Sequence, residues 1–178
     1  MRAPRRLDAV ALWDYAVKAL AGRACSSGEL RQKLLARAAT KDDVEASMSR
    51  LKDYGYLDDR RFADSFAAAR LENQRLGKAR VLQDLRRRRV APVVAEASVR
   101  KAYQDVDELS QIEDFIRRKY RSVPRESLFR DAKDLASAYR RLLRAGFQSG
   151  NAIRVLKRFA ANPELLDDFQ PPAESEGE

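Results

Sequence analysis

The stretch Leu51-Lys52-Asp53-Tyr54-Gly55-Tyr56-Leu57-Asp58-Asp59-Arg60-Arg61-Phe62-Ala63 decides the fold, because one helix ends and another begins inside it. A helix presenting Val44, Met48 and Leu51 stops near Gly55. Asp58 or Asp59 then satisfies the free amides of a new helix and favours its positive dipole end. Leu57 and Phe62 are placed to meet as a hydrophobic staple across that start. The pair of acids therefore reads as architecture, not catalysis.

Working outward, the same grammar recurs. Val10, Trp13, Val17 and Leu20 line one stripe of a helix over 8–21, with Gly22 as its stop. Ser26-Ser27-Gly28-Glu29 matches a capping box ahead of Leu30, Leu34 and Leu35, and Thr40-Lys41-Asp42-Asp43 repeats the signal. The helix after Asp58 runs to about 74 with Phe62, Phe66 and Ala69 on one face. Beyond Gly77 a fifth carries Val81, Leu82 and Leu85, and Pro92 opens a sixth with Val94, Ala97, Val99 and Tyr103. Residues 107–121 form a seventh, in which Ser110 is a candidate internal cap. After Pro124 the helical pattern resumes from Leu128 to Gly146 and again from Ile153 to Pro163.

Leu30-Arg31-Gln32-Lys33-Leu34-Leu35-Ala36-Arg37 aligns with Val81-Leu82-Gln83-Asp84-Leu85-Arg86-Arg87-Arg88 and again with Tyr139-Arg140-Arg141-Leu142-Leu143-Arg144-Ala145-Gly146, at offsets of 51 and 58 residues. The sequence thus predicts an all-α, elongated, curved array of three tandem three-helix units. Their expected bounds are 1–57, including a basic N-terminal extension, then 58–106 and 107–163. A unit of that size is near the lower limit for burying its own core, so neighbours are expected to supply part of each other's apolar contact. The remaining 164–178 holds six acids and no Lys or Arg, so it carries −6 against +15 for the rest of a chain whose net charge is +9. With little apolar content it is expected to be mobile.

Composition excludes several classes. Histidine is absent and cysteine occurs once, as Cys25, which removes His-dependent triads, His/Cys zinc sites and internal disulfides. No Gly-rich loop is followed by Lys-Ser/Thr, and no metal-ligand spacing occurs. No enzyme, cofactor or metal is expected. No apolar run reaches the roughly 18 residues of a membrane helix, and Arg2, Arg5 and Arg6 precede no signal-like hydrophobic region. A monomer in the cytoplasm is expected.

What remains is positive charge. Candidate contacts with an anionic partner are Lys78, Arg80, Arg86, Arg87 and Arg88 in one stretch, then Arg117 and Arg118. A third group comprises Arg140, Arg141, Arg144, Arg154, Lys157 and Arg158, in a run without acids from 135 to 163. Arginine outnumbers lysine 27 to 9, and its planar fork suits phosphate and carboxylate alike, leaving DNA backbone and an acidic protein groove both open. Tyr103, Tyr120, Tyr139 and Phe159 sit at core spacing, so base stacking is a minor reading for them.

Three segments together resemble the RecX family, bacterial regulators of the RecA recombinase. They are Ser27-Gly28-Glu29-Leu30-Arg31-Gln32-Lys33-Leu34-Leu35, the junction quoted first, and Arg141-Leu142-Leu143-Arg144-Ala145-Gly146-Phe147. The likeness spans about residues 10–160. It departs where the family often has Gly after a unit's second helix and this chain has Ala38-Ala39 and Arg89-Val90. The resemblance implies a protein that lies in the groove of the RecA filament on single-stranded DNA. It also implies depression of the filament's ATPase, strand-exchange and coprotease activities, and so a role in homologous recombination, DNA repair and the SOS response. The alternative reading is a sequence-independent DNA-binding helical protein.

Overall fold

The computed structural model describes residues 6–124 and 128–160; the expectation for 164–178 lies outside them. Among the described residues there are nine helices and no strand, so the chain is all-α. In order they are α1 (Ala9–Gly22), α2 (Ser27–Leu35), α3 (Lys41–Asp53), α4 (Asp59–Gln74), α5 (Lys78–Arg87), α6 (Pro92–Ala102), α7 (Glu108–Lys119), α8 (Ala132–Arg144) and α9 (Ser149–Phe159).

The helix starts follow local chemistry. Asp8, Ser26, Thr40, Asp107 and Asp131 each accept a hydrogen bond from an amide of the first turn. Asp58 takes the Arg61 amide at 2.9 Å, as the junction predicts. Asp59 instead reaches across to the Ser27 amide at 2.6 Å, tying α4 to α2. The capping box at Ser26 is half formed, because the Glu29 carboxylate turns to Arg23 and Arg88 rather than returning to the cap. Ser110 does not move the start of α7; its hydroxyl donates to Asp107, the true cap. Asp131 opens α8 later than the pattern from Leu128 suggests, because Leu128 and Phe129 sit in the preceding turn, buried in the core.

Contacts divide the chain into two compact units: residues up to Ala69 with Leu82–Gln104, and Arg70–Val81 with the residues from Asp105 on. In the first, α1, α2 and α3 pack mutually around Leu12, Ala16, Leu30, Leu34, Val44 and Leu51. In the second, α9 packs on α7 and α8 around Ile112, Ile116, Leu135, Tyr139, Leu142 and Leu156.

Several predicted faces are rotated. On α1 the buried pair is Leu12 and Ala16, while Val10 is 74% exposed. That helix is apolar nearly all round, so its periodicity fits two stripes and packing against α3 selects the one with the small Ala16. On α4, Ala63 and Ala67 face inward and Phe62 and Phe66 stay half-buried at the edge. On α6 the inner residues are Ala95, Ser98 and Val99, with Ala97 exposed. Leu35 is also partly exposed at the end of α2.

Candidate functional site

Positive charge is the chemistry left to this chain, so the site is defined by where each cation points. The end of α5 is the densest basic stretch, and much of it is spent on structure. The Arg88 guanidinium lies 3.3 Å from both carboxylate oxygens of Glu29 and against the Phe66 ring, while its carbonyl accepts the Ser26 hydroxyl. Arg89 follows at φ 57°, a left-handed conformation that a glycine would adopt at less cost. The amides of Arg89 and Val90 close the helix on the carbonyls of Arg86 and Leu85.

This turn is seated on the first turn of α2, within the first unit. A Cβ on Gly28 would lie 2.5 Å from the Arg89 carbonyl oxygen and 2.6 Å from the Arg89 Cβ. Gly28 is therefore fixed by close approach. Arg86 and Arg87 project outward and pair loosely, with Glu96 at 3.8 Å and Asp84 at 3.9 Å.

The end of α8 forms a corresponding seat within the second unit. Its carbonyls at Ala145 and Gly146 accept the amides of Gly77 and Ala79 at 2.8 and 3.3 Å, and the Arg80 side chain donates to the Arg144 carbonyl at 3.3 Å. The left-handed residue is now Gly146 at φ 90°, and a Cβ there would lie 2.6 Å from the Arg80 Cβ. The first seat thus omits a Cβ on the facing helix alone, at Gly28, whereas the second omits one on each wall, at Gly146 and at Gly77, whose Cβ would clash with the Gly146 carbonyl oxygen. Lys78 remains exposed beside this seat.

Elsewhere in the second unit the predicted cations separate into used and unused. Arg117 pairs with Glu113 at 3.2 Å, Arg158 reaches the same carboxylate at 2.8 Å, and Arg118 donates to the Asn73 carbonyl at 2.7 Å. Arg141 lies over the Tyr120 ring, and Lys157 is half-buried. Arg140, Arg144 and Arg154 are exposed, and no side-chain partner of theirs occurs among the described residues. At 100° per residue Arg140 and Arg144 lie opposite the buried Leu135–Tyr139–Leu142 stripe of α8, with Lys133 on the same face. Arg154 likewise lies opposite Ala152, Val155 and Leu156 on α9.

The other candidate chemistries find no site here. Tyr103 and Tyr139 are core residues, about 1% and 2% exposed. Burial pushes the Cys25 thiol above its ordinary range, with Lys33 opposing, so the thiol is not primed as a nucleophile. Among the described residues no group of three His, Cys, Asp or Glu is placed to hold a metal, and no helix is long and apolar enough to cross a membrane. Sequence reasoning missed the exposed aromatics Tyr54 and Tyr56, which flank Gly55 in the junction and were treated only as a helix end.

Comparison with known proteins agrees with this architecture. A family model described as the second three-helix domain of RecX matches residues 58–99. A regulatory protein RecX of Trichlorobacter lovleyi is 30% identical over 134 residues, covering 75% of this chain and 86% of that protein. One from Deinococcus radiodurans is 34% identical over 168 residues, covering 93% and 73% respectively. The crystal structure of RecX from Lactobacillus salivarius superposes with a TM-score of 0.63 at 15% identity, over 85% of this chain and 96% of that one. A second crystal structure, of a regulatory protein RecX, gives 0.59 at 17% identity, over 83% and 73%. With an all-α fold and relatives of this identity and coverage, the chain belongs to the RecX family of regulatory proteins.

Proposed function

We propose that this protein binds the RecA filament on single-stranded DNA and restrains its ATPase, strand-exchange and coprotease activities, and so acts in recombination, DNA repair and the SOS response. The observation that carries this reading is the set of exposed guanidinium groups Arg140, Arg144 and Arg154, without a side-chain partner among the described residues, on the faces of α8 and α9 opposite their buried stripes. Guanidinium forks suit carboxylate and phosphate, both of which a protein–DNA filament presents. Family membership supports the regulatory role.

The action requires no catalytic group. We take the like segments at 30–37, 81–88 and 139–146 to mark repeated helical units, which can engage successive subunits of a polymer at once. Linked weak contacts then add through effective concentration, so modest individual pairs suffice. Any ATP turnover in the mixture belongs to the recombinase.

The test is DNA-dependent ATP hydrolysis by the recombinase of the same organism, titrated with this protein. Inhibition is expected, and the triple variant Arg140→Glu, Arg144→Glu, Arg154→Glu is expected to need at least about tenfold more protein for the same effect, a change of about 1.4 kcal/mol. Hydrolysis that proceeds unchanged in the presence of the intact chain would overturn the proposal.

A further inference from the structure

The first unit carries an exposed aromatic surface that its own packing does not explain. Tyr54 and Tyr56 are 58% and 59% exposed, on either side of a glycine at φ 70°. The residue after such a turn commonly folds back onto the helix, but here Leu57 is buried and Tyr56 stands outside. Trp13 meets Tyr54 edge-on at 5.9 Å, and Tyr54 meets Tyr56 at 6.0 Å, so the three rings form a continuous row. The Arg50 guanidinium lies 4.1 Å from the Trp13 centroid and 5.6 Å from that of Tyr54.

The row leads into a cleft of about 650 Å³, a size suited to a small ligand, lined in part by Tyr56, Phe62, Phe66, Cys25, Arg23 and Arg61. Phe62 and Phe66 stack with centroids 5.9 Å apart. Of the junction acids, Asp58 lines the cleft and accepts the Arg61 amide, while Asp59 accepts the Ser27 amide. The Arg61 side chain is exposed and has no partner among the described residues. The cleft therefore offers ring faces lined by three guanidinium groups, Arg61 and the Glu29-paired Arg23 and Arg88, against the one carboxylate of Asp58.

We propose that the Trp13–Tyr54–Tyr56 row and the cleft beside it form a second binding site, which takes the unpaired bases of single-stranded nucleic acid. Rings supply stacking partners for any base, and guanidinium groups at the rim answer the phosphates. The rings are edge-on and tilted to one another rather than parallel, which suits splayed bases and not a paired duplex. This surface uses none of the cations of α8 and α9, and it stands whether or not the filament reading holds.

The experiment uses the full chain without recombinase. Binding of a labelled oligothymidylate and of an abasic strand of equal length is read by fluorescence anisotropy, and the emission of Trp13, the sole tryptophan, reports on the site. The intact chain is expected to prefer the oligothymidylate by about tenfold or more, with Trp13 quenched by that strand alone. Tyr54→Ala with Tyr56→Ala should remove the preference, and Arg61→Ala should weaken both strands together. Circular dichroism checks that both variants fold. Equal binding of the two strands, no binding at all, or a double variant that keeps the preference overturns the proposal. A folded double variant that binds DNA normally but fails to restrain the recombinase overturns it too, by assigning the surface to a protein.

Discussion

The C-terminal turns of α5 and α8 share an arginine-rich sequence and a left-handed closing residue, yet the first draws one of its arginines onto an acid of the facing helix. At α5 the closing residue is Arg89, the missing Cβ belongs to Gly28 on the facing helix, and Arg88 is drawn inward onto Glu29. At α8 the closing residue is itself glycine, Gly146, the facing wall also lacks a Cβ at Gly77 but keeps one at Arg80, and Arg140 and Arg144 are left outside. Arg88 is therefore structural, while Arg86 and Arg87 beside it, like Arg140 and Arg144 at the other helix end, project outward.

The comparison breaks most sharply at Gly146. An alanine there meets both a left-handed backbone and the Arg80 backbone, so Gly146→Ala is expected to cost about 3 kcal/mol in urea unfolding, from overpacking and conformational strain together. Gly28→Ala meets only the close approach, and about 2 kcal/mol is expected. Equal costs, or none, would show that the two seats are not built as described.

Next in size is the functional side. The triple reversal of Arg140, Arg144 and Arg154 is expected to weaken inhibition at least about tenfold while unfolding stays within about 0.5 kcal/mol of the parent, since those side chains are exposed. Arg88→Ala should do the reverse. Its pair with Glu29 is three-quarters or more shielded on both sides, so about 1 kcal/mol of stability is expected to go. Inhibition per folded molecule should remain. Arg89→Gly relieves the left-handed strain and is expected to stabilise by up to about 1 kcal/mol.

The smallest effect tests whether charge elsewhere in the first unit is structural. The Lys101 hydrogen bond to Asp64, 2.8 Å long, holds that carboxyl below its ordinary range. A depressed carboxylate adds stability that is complete above the ordinary Asp range and fades as pH falls through the lowered folded value. Lys101→Met should flatten that acid limb, with a loss at neutral pH below about 1 kcal/mol because the lysine is exposed and screened.

Much of the fold could be read from caps and stops. Ser26, Thr40, Asp58 and Gly55 each mark an observed helix boundary, because a cap acts through atoms close in sequence. Which face turns inward was less legible. On α1 and α4 the apolar residues outnumber the inner positions, and only packing against other helices chose Ala16, Ala63 and Ala67 over larger neighbours. The site divides the same way. Four adjacent arginines in a sequence show charge, but the partner of Arg88 lies 59 residues away, so its commitment to Glu29 is a tertiary fact. Arg89 in the place of a glycine keeps the expected backbone because Gly28 makes room for it. Tyr54 and Tyr56 carried a local meaning, the end of α3, which concealed their exposure.

The most direct measurement is an electron cryomicroscopy reconstruction of the recombinase filament saturated with this protein. The predicted result places Arg140, Arg144 and Arg154 against filament carboxylates or phosphates while Arg88 stays on Glu29. A reconstruction with the outer faces of α8 and α9 open to solvent, and the end of α5 gripping the filament instead, would contradict the account.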